Sequence, residues 1–248
     1  KHVSLNLTLR GLGESPTLAM SEKCRVMKAQ GHEVFNMSIG QSPFPVPKPV
    51  VAALKMYARE KTYLPVRGLP ELRSAVAEYH KRKDDIDLKA ENILIGPGSK
   101  MLMYLLQLSF YGEIIIPTPC WVTYAPQAKL IGREVQFIDT SFEEKWHINA
   151  EKFEELCQSE HDTYRPRVVV LNYPGNPDGG TYDIEDLKAI ADVAREYEVI
   201  LLSDEIYGEL NHDGNHISVA RFYPEGTIIS SGLSKWCAAG GWRLGTFA

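Results

Sequence analysis

The sequence has few cysteines and no pattern in which they would bind a metal or form a disulfide framework. Its four cysteines are scattered over 248 residues, and no two of them stand in a Cys-x-x-Cys arrangement. Zinc sites and small disulfide-rich domains use closely spaced cysteines, whereas scattered thiols are typical of reduced intracellular proteins. We therefore expect free thiols and no zinc.

Long basic runs and long apolar runs are also missing. The net charge of -5 comes from 27 basic and 32 acidic residues that are interspersed, and the short basic stretch 81–83 is followed by two aspartates. Nothing resembles a signal peptide or an apolar segment long enough to cross a bilayer. The sequence predicts a protein that binds neither nucleic acid nor membrane and is cytoplasmic, with an organelle matrix left open.

What is present is the pattern of a large α/β domain. Short β-branched runs alternate with amphipathic helical patterns, which predicts crossover units on a mainly parallel sheet with helices on both faces. The predicted strands are Ile93–Ile95, Glu113–Ile116, Val135–Ile138, Arg167–Leu171, Val199–Leu202 and Thr227–Ser230. The predicted helices are Ser15–Gln30, Val50–Arg59, Leu69–Lys81, Met101–Phe110 and Ile184–Tyr197.

The two ends of the chain predict incomplete attachments to this domain. Residues 39–49 contain four prolines and a glycine, which predicts an extended connection. We expect residues 1–45 to form an N-terminal arm and part of a small domain, and residues 46–248 to form the large domain. Residues 244–248 look like the start of another strand, so we expect a fragment that lacks its C-terminal part.

Two polar segments follow predicted strands, at the sheet edge where ligands collect in open parallel sheets. The glycine-rich turn 96–100 could hold a phosphate with backbone N–H groups at a helix start, although a plain turn with Ser99 as N-cap explains it equally well. The loop 172–180 offers the amide of Asn176 between two prolines, and its alternative is a rigid surface turn.

Two further segments place charged groups at the same edge. Asp204 ends an apolar strand with Tyr207 three residues later, and it is either the partner of a cation or the N-cap of a short helix. Lys235 follows a strand, and Arg243 comes eight residues later as a bidentate anion ligand. An isolated lysine is usually a solvated surface residue.

Together and in this order, these segments resemble the class I/II aminotransferases of fold type I, the aspartate-aminotransferase-like enzymes that use pyridoxal 5'-phosphate (PLP). The resemblance covers essentially the whole chain. It implies a three-layer αβα domain, with the small domain mostly missing, and a Schiff base between Lys235 and PLP. It also implies that Asp204 pairs with the pyridine nitrogen, that Tyr207 and Asn176 contact the ring oxygen, and that the phosphate is held by Gly98, Ser99, Lys100 and Arg243.

The same resemblance assigns the remaining site residues. Trp121 matches the aromatic residue that stacks on the ring, with a core tryptophan as the alternative, and Gly40 matches the glycine that lies against the substrate. Tyr63 matches a tyrosine that reaches the phosphate of the neighbouring subunit, which implies a homodimer with shared sites. Many members have a phosphate-binding serine at the position of Gly232. In this chain either Ser231 or Ser234 replaces that contact, or the contact is missing.

The expected function is transfer of an amino group from an amino acid to a 2-oxo acid. A β-lyase, which would cleave a carbon–sulfur bond on the same scaffold, is the alternative. A nicotinamide-dependent oxidoreductase is disfavoured because the turn lacks the third glycine of that fingerprint, and a ligand-sensing regulator would need an attached DNA-binding segment. His212 and His216 flank a loop glycine, which argues against a shared metal, and no metal is expected.

Overall fold

The predicted sheet is present in the computed structural model, which describes residue 4, residues 6–159 and residues 166–248. The six predicted strands are confirmed, and the expected additional strand follows them near the end of the chain. The strands are β1 (Leu94–Gly96), β2 (Glu113–Thr118), β3 (Val135–Asp139), β4 (Arg167–Asn172), β5 (Ile200–Asp204), β6 (Thr227–Gly232) and β7 (Gly245–Phe247).

In the described part of the chain these strands form one sheet in the order β1-β7-β6-β5-β4-β2-β3. β3, β2, β4, β5 and β6 pair in parallel, and β7 is antiparallel to both of its neighbours. The mainly parallel sheet is therefore confirmed. The register sets Asn172 beside Asp204 and Asp204 beside Ser230, so the carboxyl ends of three strands meet at one edge.

The described residues form seven helices, of which five match predicted ones within a few residues. They are α1 (Pro16–Ala29), α2 (Lys48–Tyr57), α3 (Pro70–Asp84), α4 (Ser99–Ser109), α5 (Tyr124–Leu130), α6 (Ala150–Ser159) and α7 (Ile184–Glu196). Sequence reasoning did not predict α5 and α6.

The sheet separates two apolar clusters because successive side chains of a strand point to opposite faces. Val169 and Leu171 of β4 face the cluster that contains α6 and α7, whereas Val168 and Val170 face the cluster that contains α4 and α5. Buried strands of this kind have continuous apolar runs, as the sequence of β4 does. The architecture is the expected three-layer α/β/α arrangement.

The N-terminal region lies outside this core. α1 and α2 contain no buried residue, and the first buried residue of the described chain is Ala77. The proposed boundary between residues 1–45 and residues 46–248 stays a prediction, and residues 1–3 and 5 lie outside the described residues. Within the part that the structure describes, no helix is long and apolar enough to cross a membrane.

Candidate active site

The carboxyl ends of β4, β5 and β6 bring the predicted residues to one place. Asn176 Nδ2 lies 3.5 Å from the hydroxyl of Tyr207. The Lys235 ammonium lies 5.2 Å from the centroid of the Tyr207 ring. An amine, an amide and a phenol therefore converge beside the last residue of β5.

Asp204 is the buried acid of this group. Its Oδ2 atom accepts a hydrogen bond of 2.6 Å from the hydroxyl of Tyr124, and its buried Oδ1 atom has no hydrogen-bond partner among the described residues. Burial raises the pKa of Asp204 to about 6, although the Tyr124 hydroxyl, the Ile206 backbone and the Lys235 charge oppose that rise. Asp204 is not a helix N-cap, because the next short helix begins at Gly208 and Tyr207 precedes it.

The Asn-Pro loop is fixed to β5 by a residue that sequence reasoning missed. Asn172 Nδ2 donates to the backbone oxygen of Asp204 over 2.8 Å, and Asn172 Oδ1 accepts from the backbone N–H of Asn176 over 2.8 Å. The loop is therefore more than a rigid surface turn. An asparagine at the end of a buried strand was the available signal.

Lys235 is half-buried and reaches toward the extended N-terminal segment. Its Nζ atom donates a hydrogen bond of 2.9 Å to the backbone oxygen of Gly40, a residue that lies 195 positions earlier. The structure thus brings the predicted amine to the predicted substrate-side glycine. The alternative of a freely solvated surface lysine does not describe this side chain.

The glycine-rich turn carries positive charge at the same edge. Gly98, with φ of 92°, precedes α4 as its N-cap, so Ser99 is the first helical residue and not the cap. A side chain at position 98 would meet Arg243, because a Cβ atom there would lie 2.1 Å from Nη2 of that guanidinium. Burial and the charge of Arg243 lower the pKa of Lys100. Two cations and the start of a helix thus face one another, as an anion site requires.

The remaining residues of this region are Trp121 and the small residues before Lys235. Trp121 is half-buried, packs edge-to-face on Tyr124 at 5.3 Å between centroids, and has the Lys100 ammonium 4.8 Å from its ring centroid. Gly232 is close to the β7 backbone, since a Cβ atom there would lie 2.5 Å from the Leu244 oxygen. A serine at that position would require the neighbouring backbone to shift, and Ser234 is half-buried nearby.

Two predicted features lie away from this cluster. The side chain of Tyr63 is 100% exposed, so within this chain it does not join the site. His212 is exposed, whereas His216 is buried and hydrogen-bonded to Glu205. The two imidazoles therefore have separate environments.

Solved structures identify the class of fold. The chain superimposes with a TM-score of 0.91 on the Thermus thermophilus aspartate aminotransferase solved with maleate, at 29% identity, covering 100% of this chain and 65% of that one. An aspartate aminotransferase from Rhizobium meliloti gives 0.90 at 27% identity, covering 100% of this chain and 63% of that one. The fold is that of the aspartate-aminotransferase-like proteins of fold type I.

Sequence comparison then gives the family. The profile of the family described as aminotransferase class I and II matches residues 32–248. The aspartate aminotransferase of Bacillus subtilis (strain 168) is 34% identical over 94% of this chain and 61% of its own length. The asparagine–oxo-acid transaminase of Streptococcus mutans is 36% identical over 94% of this chain and 60% of its own length. The chain belongs to the class I and II aminotransferase family and spans about 60% of these curated relatives.

Proposed function

We propose that the full-length protein is a PLP-dependent aminotransferase that moves an amino group from an amino acid to a 2-oxo acid. The observation that carries the proposal is the buried Asp204 carboxylate, with its unpaired oxygen, at the same strand ends as the Lys235 amine. A buried acid needs a cationic or hydrogen-bonding partner. The relatives and structures described above are named aminotransferases, and none of them supports the lyase alternative.

The described residues fit PLP on two counts. The unpaired Oδ1 atom of Asp204 is an acceptor suited to a protonated pyridine nitrogen. The bare Cα of Gly98 allows the Arg243 guanidinium to approach the start of α4, where a Cβ atom would exclude it. Free N–H groups at a helix start, together with arginine, are suited to a phosphate dianion.

PLP, when bound, supplies an aldehyde and an electron-withdrawing ring that accepts the electron pair of a broken Cα–H bond. Lys235 would hold the cofactor through its amine and would move a proton as general acid and base. Asp204 would keep the ring nitrogen protonated. Tyr207 and Asn176 would donate hydrogen bonds to the ring oxygen.

The other predicted residues orient the ligands. Ser99, Lys100 and Arg243 bind the phosphate, with Ser234 as an additional hydroxyl donor near Lys235. Trp121 packs against the ring, and Trp121, Asn176 and Gly40 contact the amino acid. Holding the reacting carbon in a fixed position is itself a large part of catalysis, because it removes the entropy cost of alignment from the barrier.

The assembly that we propose is a homodimer with shared sites. Support comes from the large apolar side chains exposed in the N-terminal region, among them Phe35, Met37, Phe44, Tyr63 and Val66. Tyr63 of one subunit is proposed to reach the phosphate site of the other. We place the protein in the cytoplasm, which is supported by its four free thiols.

The test is an amino-transfer assay of the PLP-loaded full-length protein and its Lys235→Ala variant. Aspartate and asparagine come first among donors because relatives are named for them. The variant is expected to lose turnover by about 10³-fold or more while still taking up PLP, because the proton carrier is gone. Transamination by that variant at near wild-type rate contradicts the proposal. Pyruvate and ammonia released by the wild-type protein from a cysteine S-conjugate, without a 2-oxo acid acceptor, favour a lyase.

A further inference from the structure

A second buried acid follows Asp204 directly, and the proposed mechanism gives it no task. Glu205 is 7% exposed and comes immediately after β5. Asp204 contacts Tyr124, which belongs to the apolar cluster of α4 and α5, whereas Glu205 contacts Tyr173 in the opposite cluster. The two carboxylates therefore lie on opposite faces of the sheet.

The Glu205 carboxylate is surrounded by donors. Its Oε1 atom accepts from the hydroxyls of Ser203 over 2.8 Å and Ser218 over 2.6 Å. Its Oε2 atom lies 2.7 Å from Nε2 of His216, which is within hydrogen-bond distance. Buried hydrogen-bond networks hold the surrounding backbone in place, although Nδ1 of His216 has no hydrogen-bond partner among the described residues.

Groups that contact Glu205 come from both loops that carry Asn176 and Tyr207, the proposed ligands of the PLP ring oxygen. Tyr173 begins the loop that leads to Asn176, and its hydroxyl lies 3.5 Å from Glu205 and accepts from the Val219 backbone N–H over 2.7 Å. His216 and Ser218 end the loop that begins after Glu205 and contains Tyr207. One carboxylate thus connects the two loops.

His216 also supports the backbone next to Tyr207. A Cβ atom on Gly208 would lie 2.8 Å from Cδ2 of the His216 ring, so the imidazole packs directly against that backbone. The same ring lies 5.3 Å, centroid to centroid, from the ring of Tyr173. Displacing the imidazole would therefore release both loops.

We propose that Glu205 is a positioning residue whose buried carboxylate, together with His216, fixes the two loops that aim Asn176 and Tyr207 at the ligand. Its role toward the cofactor rests on the proposed function. Asn172 already holds the Asn-Pro loop to β5, and the Glu205–His216 pair adds support for the loop that carries Tyr207. Binding groups must be held rigidly by their neighbours to be effective.

The experiment compares Glu205→Gln and His216→Gln with a matched control, His80→Gln. His80 and Asp84 also form a buried pair at 2.7 Å with both side chains 4% exposed, but that pair lies within α3. Glutamine at position 205 replaces one carboxylate oxygen with an NH2 group, so it cannot accept hydrogen bonds on both sides as the carboxylate does. Ser218→Ala removes one donor to Glu205 and a 3.3 Å contact with the Ala220 N–H, and it is the milder variant in case the others fail to fold.

The readouts are the PLP dissociation constant, the visible circular dichroism of bound PLP, and amide hydrogen exchange of loops 172–178 and 206–218 in cofactor-free protein. Glu205→Gln and His216→Gln are expected to weaken PLP binding roughly tenfold, reduce the dichroism and speed exchange in both loops. Ser218→Ala is expected to do the same more weakly. His80→Gln is expected to lower stability and leave all three readouts near wild type.

Unchanged affinity, dichroism and loop exchange in the folded Glu205 and His216 variants overturn the proposal. So does faster exchange in only one of the two loops. If the wild-type protein takes up no PLP, the proposed function is wrong, and loop exchange alone then decides whether Glu205 couples the two loops.

Discussion

Asp204 combines burial, one hydrogen bond and one unpaired oxygen at a strand end. Removing a carboxyl group from water disfavours its charged form, and this accounts for a pKa of about 6 against an ordinary value of 3.8. Folding of the cofactor-free protein therefore favours the protonated form of the Asp204 carboxyl group. The stability from Asp204 is fully present below pH 3.8 and is lost as the pH rises through about 6.

The first prediction concerns this pH dependence. We compare the free energy of unfolding of Asp204→Asn with that of the cofactor-free wild type. From pH 4.5 to pH 7 this difference is expected to change by about 2 kcal/mol in favour of the variant, because asparagine does not ionise. Urea unfolding of both proteins at the two pH values measures the difference. A constant difference across that range contradicts the raised pKa.

At the residue scale, the sequence motifs predicted several polar and charged side chains of the candidate site. Lys235, Asp204, Asn176 and Tyr207 were predicted because they follow strands, and parallel strand ends meet at one edge. Tyr124 was not predicted as the partner of Asp204, because the two residues are 80 positions apart and only the packing of α5 on the sheet brings them together. His216 was considered only as a metal ligand.

At the scale of elements, continuous apolar runs predicted the strands well. α5 was missed because it has seven residues and contains Pro126, so it has little helical periodicity. α6 was missed although Phe153, Leu156 and Cys157 have helical spacing, because its charged residues dominate the segment. Short helices of this kind are stabilised chiefly by tertiary packing.

The close approach of β6 and β7 leads to the second prediction. Gly232→Ser introduces the hydroxyl that the family resemblance led us to expect, but its Cβ atom would lie 2.5 Å from the Leu244 oxygen. We expect it to lower the free energy of unfolding by about 1–3 kcal/mol instead of improving PLP binding. Chemical denaturation and a PLP titration measure the two effects.

The control for this substitution is Gly241→Ser. A Cβ atom at position 241 meets nothing within 4 Å, so that variant is expected to match wild type in both measurements. Tighter PLP binding by Gly232→Ser, with stability unchanged, would show that the β6–β7 contact adjusts and that the missing hydroxyl matters.

For the whole molecule, the exposed N-terminal region and the proposed role of Tyr63 predict complementation between subunits. Tyr63→Ala and Lys235→Ala are each expected to impair the full-length enzyme. In the proposed dimer, Lys235 and Tyr63 of one site come from different subunits, so a mixed dimer would contain one site with both native residues. Mixing and reassembling the two variants is expected to restore about a quarter of wild-type activity.

The activity of the mixture, compared with that of each variant alone, measures this complementation, and sedimentation confirms that dimers form. A mixture that stays at the average of its components contradicts shared sites. That result would leave the proposed role of Lys235 unchanged, because Lys235 is proposed to act in the site of its own subunit.

Borohydride reduction of the PLP-loaded full-length protein, followed by mass mapping of its peptides, tests the central claim most directly. Reduction makes the bond between a lysine amine and the PLP carbon permanent, so the modified peptide reports which amine holds the cofactor. We expect the added mass on the peptide that contains Lys235 and its absence from the Lys235→Ala variant. Protein that takes up no PLP, or an adduct on another lysine such as Lys100, would contradict the account.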